Sequence, residues 1–331
     1  MGPATDKGSH VAEISYSDFN LGRWIRMNAR NSQCKIWQSW PLVLLTVAGM
    51  VLALNGTRLA HAQALGWEGE TGVFVTPLAY TASAENQKVH AVAAYHFLNA
   101  GPIIGNFHEV SIEVGLGKRV EFGYTHEFHV FGGDTNLSPL WQNGFEILNG
   151  KVMLVPENAG KRKWVPAISA GFLARTNVCN AGNYLAEAGQ SMPSGKTDGD
   201  IYAVASKVVP TKPIPIVLSA GIRGTNAELW GMGGNAPDWE ARAFGAVAFV
   251  FKGPGKSTMI FGSEAAQQPR HPLNLPTLNI PTTLTYCVRF IPSSKYKLNF
   301  DFGIAQIAGR VASLVDLKAR HQVALQMSYG F

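Results

Sequence analysis

The sequence predicts an all-β chain that closes into an antiparallel up-and-down transmembrane β-barrel, and three observations carry that expectation. First, apolar and polar residues alternate strictly over long runs: Val110, Ile112, Val114 and Leu116 stand against Glu109, Ser111, Glu113 and Gly115. A period of two belongs to a strand with one apolar and one polar side. Second, the connections between such runs alternate short and long. Third, beyond one apolar stretch near the N-terminus, no uncharged segment comes near the roughly 20 residues a membrane helix needs.

That stretch is "PLVLLTVAGMVLAL", Pro41 to Leu54, with Arg30 and Lys35 before it and Ala60-His61-Ala62 after it. A basic region, a short apolar region and an A-x-A site together predict a secretory signal peptide, with cleavage after Ala62. Residues 1–62 are therefore read as the signal region, with Met27 a candidate true start, 63–88 as an N-terminal segment of the mature chain, and 89–331 as the barrel. Removing 1–62 takes six of the 28 Lys/Arg and three of the 22 Asp/Glu, which lowers the net charge from +6 to +3. Much of the basicity thus belongs to the leader. With no Lys/Arg cluster evident on one face, no nucleic-acid partner is expected. Cys34 leaves with the leader, and Cys179 and Cys287 fall in elements expected to lie far apart, so a disulfide between them is not expected.

Along the mature chain, "RVEFGYTHEFHVF" sets Val120, Phe122, Tyr124, Phe128 and Val130 against Glu121, Gly123, Thr125, Glu127 and His129, with Gly117-Lys118 as the hairpin link to the run before it. "TTLTYCVRFI" and "KYKLNFDFGI" alternate likewise and turn at Ser293-Ser294. Less regular runs lie near 89–98, 150–157, 164–176, 200–210, 214–224, 240–252 and 256–265. Short links fall near Gly117-Lys118, 158–163, 210–213, Gly253-Pro254-Gly255 and Ser293. Between them lie longer segments at 99–107, 132–149, 177–199, 225–239, 266–279 and 309–315. Short turns at one end and long loops at the other is the arrangement of a membrane barrel. The count from residue 89 is twelve strands, with fourteen as the alternative. "GVFVTPLAYTA" is then either a piece outside the barrel or one of two further strands, because bacterial single-chain barrels have even numbers.

The apolar faces are expected to meet lipid. Backbone polar groups within hydrocarbon must pair internally, and without membrane helices only a closed barrel achieves this. Aromatic residues at strand ends, among them Phe290, Tyr296, Tyr329 and Phe331, suit interfacial girdles.

The last strand places Val323, Leu325, Met327, Tyr329 and the terminal Phe331 on one face. This ending resembles the C-terminal strand that Gram-negative outer-membrane β-barrel proteins present to their assembly machinery. The resemblance implies a porin-like barrel in the outer membrane, with outer-membrane lipid and the barrel assembly machinery as partners. "GWEGETGVFVTPLAY", Gly66 to Tyr80, is also similar to the opening of uncharacterised exopolysaccharide-associated barrels.

Motifs for covalent chemistry are weak. "GPGKST" ends like a phosphate-binding loop, but the earlier glycine position holds Val250, so a tight turn is expected. His126 and His129 would face opposite sides of a strand and cannot share a metal. His321 has no identifiable nucleophile, which leaves a lipid hydrolase a remote alternative; no enzyme activity, cofactor or metal is expected.

The polar faces carry the candidate lumen residues Glu109, Glu113, Glu121, Glu127, Arg175, Arg223, Glu240, Arg242, Glu264, Arg289, Asp301 and Arg320. They could set the charge selectivity of an aqueous path, or pair across strands and fill the interior. The balance of signs favours pairing. The functional expectation is passive passage of small polar solutes or a structural role. The alternative is a closed barrel whose loops, such as 177–199 and the one bearing Trp230 and Trp239, bind polysaccharide or an envelope partner. Oligomeric state is left open.

Overall fold

The computed structural model describes residues 64–83, 88–133, 138–141, 144–176, 197–227, 229–233, 236, 238–269, 282–293, 297–306, 310–311, 315–316 and 321–331. The signal peptide, its cleavage site, the alternative start, Cys179, Tyr296 and Arg320 lie outside the described residues.

Strand alternation closes a barrel. The strands are β1 (Val89–Asn99), β2 (Gly105–Leu116), β3 (Val120–Phe131), β4 (Glu146–Val155), β5 (Ala167–Thr176), β6 (Thr197–Val209), β7 (Ile216–Thr225), β8 (Glu240–Lys252), β9 (Thr258–Ala266), β10 (Thr283–Ile291), β11 (Leu298–Gln306), the short pair β12 (Arg310–Val311) and β13 (Val315–Asp316), and β14 (Gln322–Gly330). Among the described residues, β1 to β11 and β14 pair with their neighbours in sequence, all antiparallel, and β14 pairs with β1 to close twelve strands. The seam is in register at Ala94 against Ser328 and Phe97 against Leu325. β12 and β13 form a separate small hairpin in the β11–β14 connection.

The connections sort as expected, with one exception. The β1–β2 link is short: Gly101–Ile104 make a single helical turn with Pro102 near its start, bracketed by Gly101 and Gly105 in the left-handed φ region. The sequence reading took 99–107 for a long loop because apolar Ile103-Ile104 gave no strand period. GPGKST forms a tight turn, with Gly253 N–H donating to the Ser257 carbonyl at 3.0 Å.

The barrel's two surfaces are inverted relative to a soluble protein. Outward side chains such as Phe122, Leu148, Phe172, Ile201, Ile222, Tyr286 and Phe302 are all exposed, and Val323, Leu325 and Met327 continue the same belt on β14. Leaving each such side chain in water rather than an apolar surrounding costs about 1.5–3 kcal/mol, so a belt of them belongs in lipid. On β1 to β3 the outer wall carries a linked aromatic group: Tyr95 hydroxyl and His108 Nδ1 lie 2.7 Å apart, and the His108 ring meets Phe97 edge-on at 5.3 Å and Phe128 at a tilt at 6.3 Å. Inward positions are polar and buried. Among the described residues no helix is long and apolar enough to cross a membrane.

Residues 64–83 are not a strand of the wall. They run inside the barrel as a compact irregular plug, almost entirely buried. Within it, Trp67 N–H donates to the Phe74 carbonyl at 2.6 Å and Gly66 N–H to that of Glu70 at 2.6 Å. This settles the strand count at twelve: "GVFVTPLAYTA" alternates like a strand, but Gly72 and Pro77 turn it back on itself through an isolated bridge.

Candidate functional site

The inner faces of the strands and the plug form one polar assembly, held at three levels between the long-loop mouth and the short-turn mouth.

Near the long loops, Glu68 of the plug receives hydrogen bonds from three directions. Arg175 of β5 pairs with it, Arg223 Nη1 of β7 donates at 2.6 Å, and the Trp230 indole N–H donates at 3.2 Å. Arg175 also binds Asp198 and Asp200 of β6, each at 2.5 Å, and Arg223 binds Asp200 at 3.0 Å. The Arg223 guanidinium sits 4.1 Å from the Trp230 ring centroid, a cation–π contact. Neighbouring strands therefore supply alternating acids and bases, which the plug carboxylate ties together.

At mid-depth Glu264 of β9 binds the plug backbone. Its carboxylate accepts from Phe74 N–H at 3.0 Å, Val75 N–H at 3.0 Å, Thr76 N–H at 2.8 Å and the Thr76 hydroxyl at 2.6 Å. Successive N–H groups converging on one anion form a nest, here closed by a side chain of the wall. Arg289 of β10 donates to the Val73 carbonyl at 2.7 Å while paired with Asp301 of β11 at 2.8 Å.

Toward the short turns, Glu121 of β3 accepts from Thr71 N–H at 3.0 Å, the Thr71 hydroxyl at 2.7 Å and Ala82 N–H at 2.5 Å, with Lys151 of β4 at 2.6 Å as counter-ion. Beyond the strand ends, the Tyr80 hydroxyl donates to Glu157 at 2.9 Å, and Lys207 pairs with the same carboxylate at 2.9 Å. Burial pushes the Glu157 carboxyl up, but hydrogen bonds from Lys207, Val208 N–H and Tyr80 outweigh it and hold the group below its ordinary value. Burial, and next the Glu157 charge, push the Tyr80 phenol up, so it remains a donor.

The fit is close. A Cβ on Gly115 would lie 1.3 Å from the Ala82 carbonyl oxygen, and one on Gly69 would lie 2.1 Å from Thr125 Oγ1. Glu109, Glu113, Glu121, Glu127 and Arg175 have no accessible surface at all, so no water-sized gap adjoins them. Under the long loops an apolar hollow is lined by Trp67, Phe74, Leu98, Trp230, Met232 and Ala305. It is roofed in part by the Trp67 indole N–H donating to the Gly231 carbonyl at 2.7 Å.

The structure brings together Glu121, Arg175, Arg223, Glu264, Arg289 and Asp301 as partners of the plug or of one another. Glu109, Glu113 and Glu127 are equally buried; among the described residues Glu109 and Glu127 have no hydrogen-bond partner, and they face each other directly across the β2–β3 ladder. Glu240 and Arg242 pair with each other at the long-loop mouth, apart from the plug. The expected balance of signs does not hold inside. Among the described residues, eight buried acids (Glu68, Glu70, Glu109, Glu113, Glu121, Glu127, Asp198 and Asp200) stand at the upper and lower levels against four buried bases, Arg175, Arg223, Lys151 and Lys297. Sequence reasoning missed Glu68, Glu70, Lys151, Asp198 and Asp200. The two aspartates sat at the edge of a presumed loop, and nothing in "GWEGE" announces that its glutamates meet the wall. Cys287 is a free buried thiol, and among the described residues no His/Cys/Asp/Glu group is arranged to hold a metal.

No protein family matches the chain, and no curated protein matches it. Solved structures do. The chain is similar to the NanC porin, with a TM-score of 0.38 and 6% identity over 72% of this chain and 97% of that one. It is similar to the COG4313 outer membrane channel from Pseudomonas putida F1, with a TM-score of 0.41 and 10% identity over 83% of this chain and 100% of that one. It is also similar to the translocator domain of the autotransporter NalP from Neisseria meningitidis, with a TM-score of 0.35 and 12% identity over 75% and 89%. These likenesses are remote and assign no role to any residue.

Proposed function

We propose that this chain is an outer-membrane channel shut by its own N-terminal segment, and that small polar solutes cross when the segment withdraws. The observation that carries the reading is the chemistry of the plug's attachments. It is fastened to the wall mainly by carboxylates, guanidinium groups and hydroxyls, with Glu264 taking four of its donors. Such contacts exchange for water at a net free energy of about 1.5–3 kcal/mol each, the value for hydrogen bonds to charged groups. The closed ladder of twelve strands keeps its own hydrogen bonds whether or not the plug is docked. The outward apolar belt and the alternating C-terminal strand support placement in the outer membrane, with delivery through the assembly machinery by Phe331 and its strand.

The second reading is a permanently closed barrel that binds polysaccharide or an envelope partner through its loops; the dry packing around Glu109 and Arg175 favours it. Planar-bilayer recordings of the folded protein decide between the two. A channel predicts little conductance in the native form and clear openings when the plug is loosened by Glu264→Ala. A folded Glu264→Ala barrel that stays silent, with its N-terminal segment shown by proteolysis to be undocked, overturns the channel.

A further inference from the structure

The sequence reading found no Lys/Arg cluster on one face; the structure gathers one. Among the residues whose exposure is described, every exposed lysine and arginine lies at the short-turn end of the barrel. Lys88 precedes β1, and the Gly117 N–H that donates to its carbonyl puts the β2–β3 turn, with Lys118 and Arg119, beside it. The β4–β5 turn exposes Lys161, Arg162 and Lys163 in succession; the later turns add Lys212, Lys252 and Lys256. The described acid at these turns, Glu157, is already committed to Lys207 and Tyr80. The opposite mouth exposes Asp238 and carries the Glu240–Arg242 pair. Linear separation hid the cluster, because each turn contributes only one to three cations and closure of the barrel sets them in a ring.

The ring borders the lipid belt directly. Trp164 follows Lys163 and is 72% exposed, the most open of the large apolar side chains, while Leu116 and Val120 flank Lys118 and Arg119 and are exposed as well. A tryptophan beside lysines, just past the end of an apolar belt, stands at headgroup depth, where the indole meets the interface and cations reach phosphates. We infer that this rim binds the phosphates of anionic phospholipids in the leaflet facing the short turns, with Lys161, Arg162, Lys163 and Trp164 as its strongest station. Anionic headgroups attract such juxtamembrane cations over about a Debye length, so the preference must weaken with salt. The inference rests on the membrane-spanning reading, and on long loops facing outward.

The test uses the folded barrel carrying Trp239→Phe, which leaves Trp164 as the exposed tryptophan among the described residues. It is reconstituted in phosphatidylcholine bilayers containing phosphatidylglycerol, with one or the other lipid brominated. The expected result is that brominated phosphatidylglycerol quenches Trp164 two- to fivefold more than its bulk fraction predicts. The excess falls to unity in K161Q/R162Q/K163Q or at 0.5 M salt. The converse protein, Trp164→Phe with Trp239 retained, shows no excess at the long-loop mouth. Equal quenching by both lipids, or an excess that survives the triple substitution, overturns the inference. So does binding of a soluble sulfated polysaccharide through the same lysines without lipid enrichment. Absence of quenching by either lipid at both tryptophans would instead remove the membrane-spanning reading itself.

Discussion

Glu264 on β9 accepts the Thr76 hydroxyl at 2.6 Å across 188 residues of chain, and the same carboxylate closes over the backbone N–H groups of Phe74, Val75 and Thr76. Glu264→Ala leaves these donors without an acceptor in the docked state, while water satisfies them in the undocked state. Each unmet donor costs about 1–3 kcal/mol. With four such donors the docking equilibrium should shift by at least about 4 kcal/mol, on the order of a thousandfold. Single-channel recording should show new openings, and protease should cut within 64–83 faster. Glu264→Gln keeps one acceptor oxygen and should give an intermediate effect.

Arg175 holds Glu68, Asp198 and Asp200 at one point. Arg175→Met takes the counter-ion from Asp198 and leaves Glu68 and Asp200 to Arg223, and breaking a buried ion group by removing one partner costs about 3–5 kcal/mol. The expected outcome is a lower unfolding temperature, read by the loss of heat-resistant migration on gels. The double variant Arg175→Met, Glu68→Gln should recover part of the loss.

Gly115 tests the fit without touching a charge. Its position admits no Cβ while Ala82 occupies its place. Gly115→Val should expel the part of the plug around Ala82 from the β2 wall yet leave the ladder of β1, β2 and β3 intact, since valine suits a strand. Unchanged far-ultraviolet circular dichroism with raised conductance is the expected pair of results.

Acid should release the lower fastening. Glu157 titrates below its ordinary value of 4.5, so its contribution is present at neutral pH and lost as pH falls through the lowered value. The carboxylate and its Lys207 partner are part-buried at the turn and still reached by solvent, which keeps the effect to about 1 kcal/mol. Proteolysis of the segment near Tyr80 should quicken below pH 4.5 in the native protein, and Glu157→Gln should remove that dependence.

At the seam, Phe331 N–H donates to the Ala91 carbonyl at 2.8 Å and its ring lies 5.1 Å from Tyr329. Deleting Phe331 should lower the yield of assembled barrel in membranes several-fold while the protein already assembled keeps its thermal stability to within about 1 kcal/mol. Membrane fractionation after pulse labelling checks the first, and gel mobility the second.

The wall was legible because lipid and lumen demand opposite chemistry from alternate residues. β2 and β3 show this over Glu109–Leu116 and Val120–Thr125, with Phe107 inward and His108 and His126 outward as the exceptions, and Glu109 and Glu121 fall on the inner face by parity alone. β4 was read as starting near 150 because Asn149 and Gly150 interrupt the apolar series, although Ile147 and Leu148 continue the strand to Glu146. The plug was not legible. Its contacts with the wall join residues 39 to 261 positions apart, as with Ala82 to Glu121 and Leu65 to Gln326, and have no period. The inner charge excess escaped notice for the same reason: parity puts a residue inside but does not say which oppositely charged group meets it.

The plug also constrains the order of construction. Residues 64–83 touch β3, β5, β7, β9 and β10, on every side of the ring. A hoop already joined at β1 and β14 would have to be entered by threading a folded knot of chain end-on. The route that avoids this rolls the sheet around its contents, with the β1–β14 edge the last to meet, and any later withdrawal or return of the segment has to pass the mouth unravelled, residue by residue.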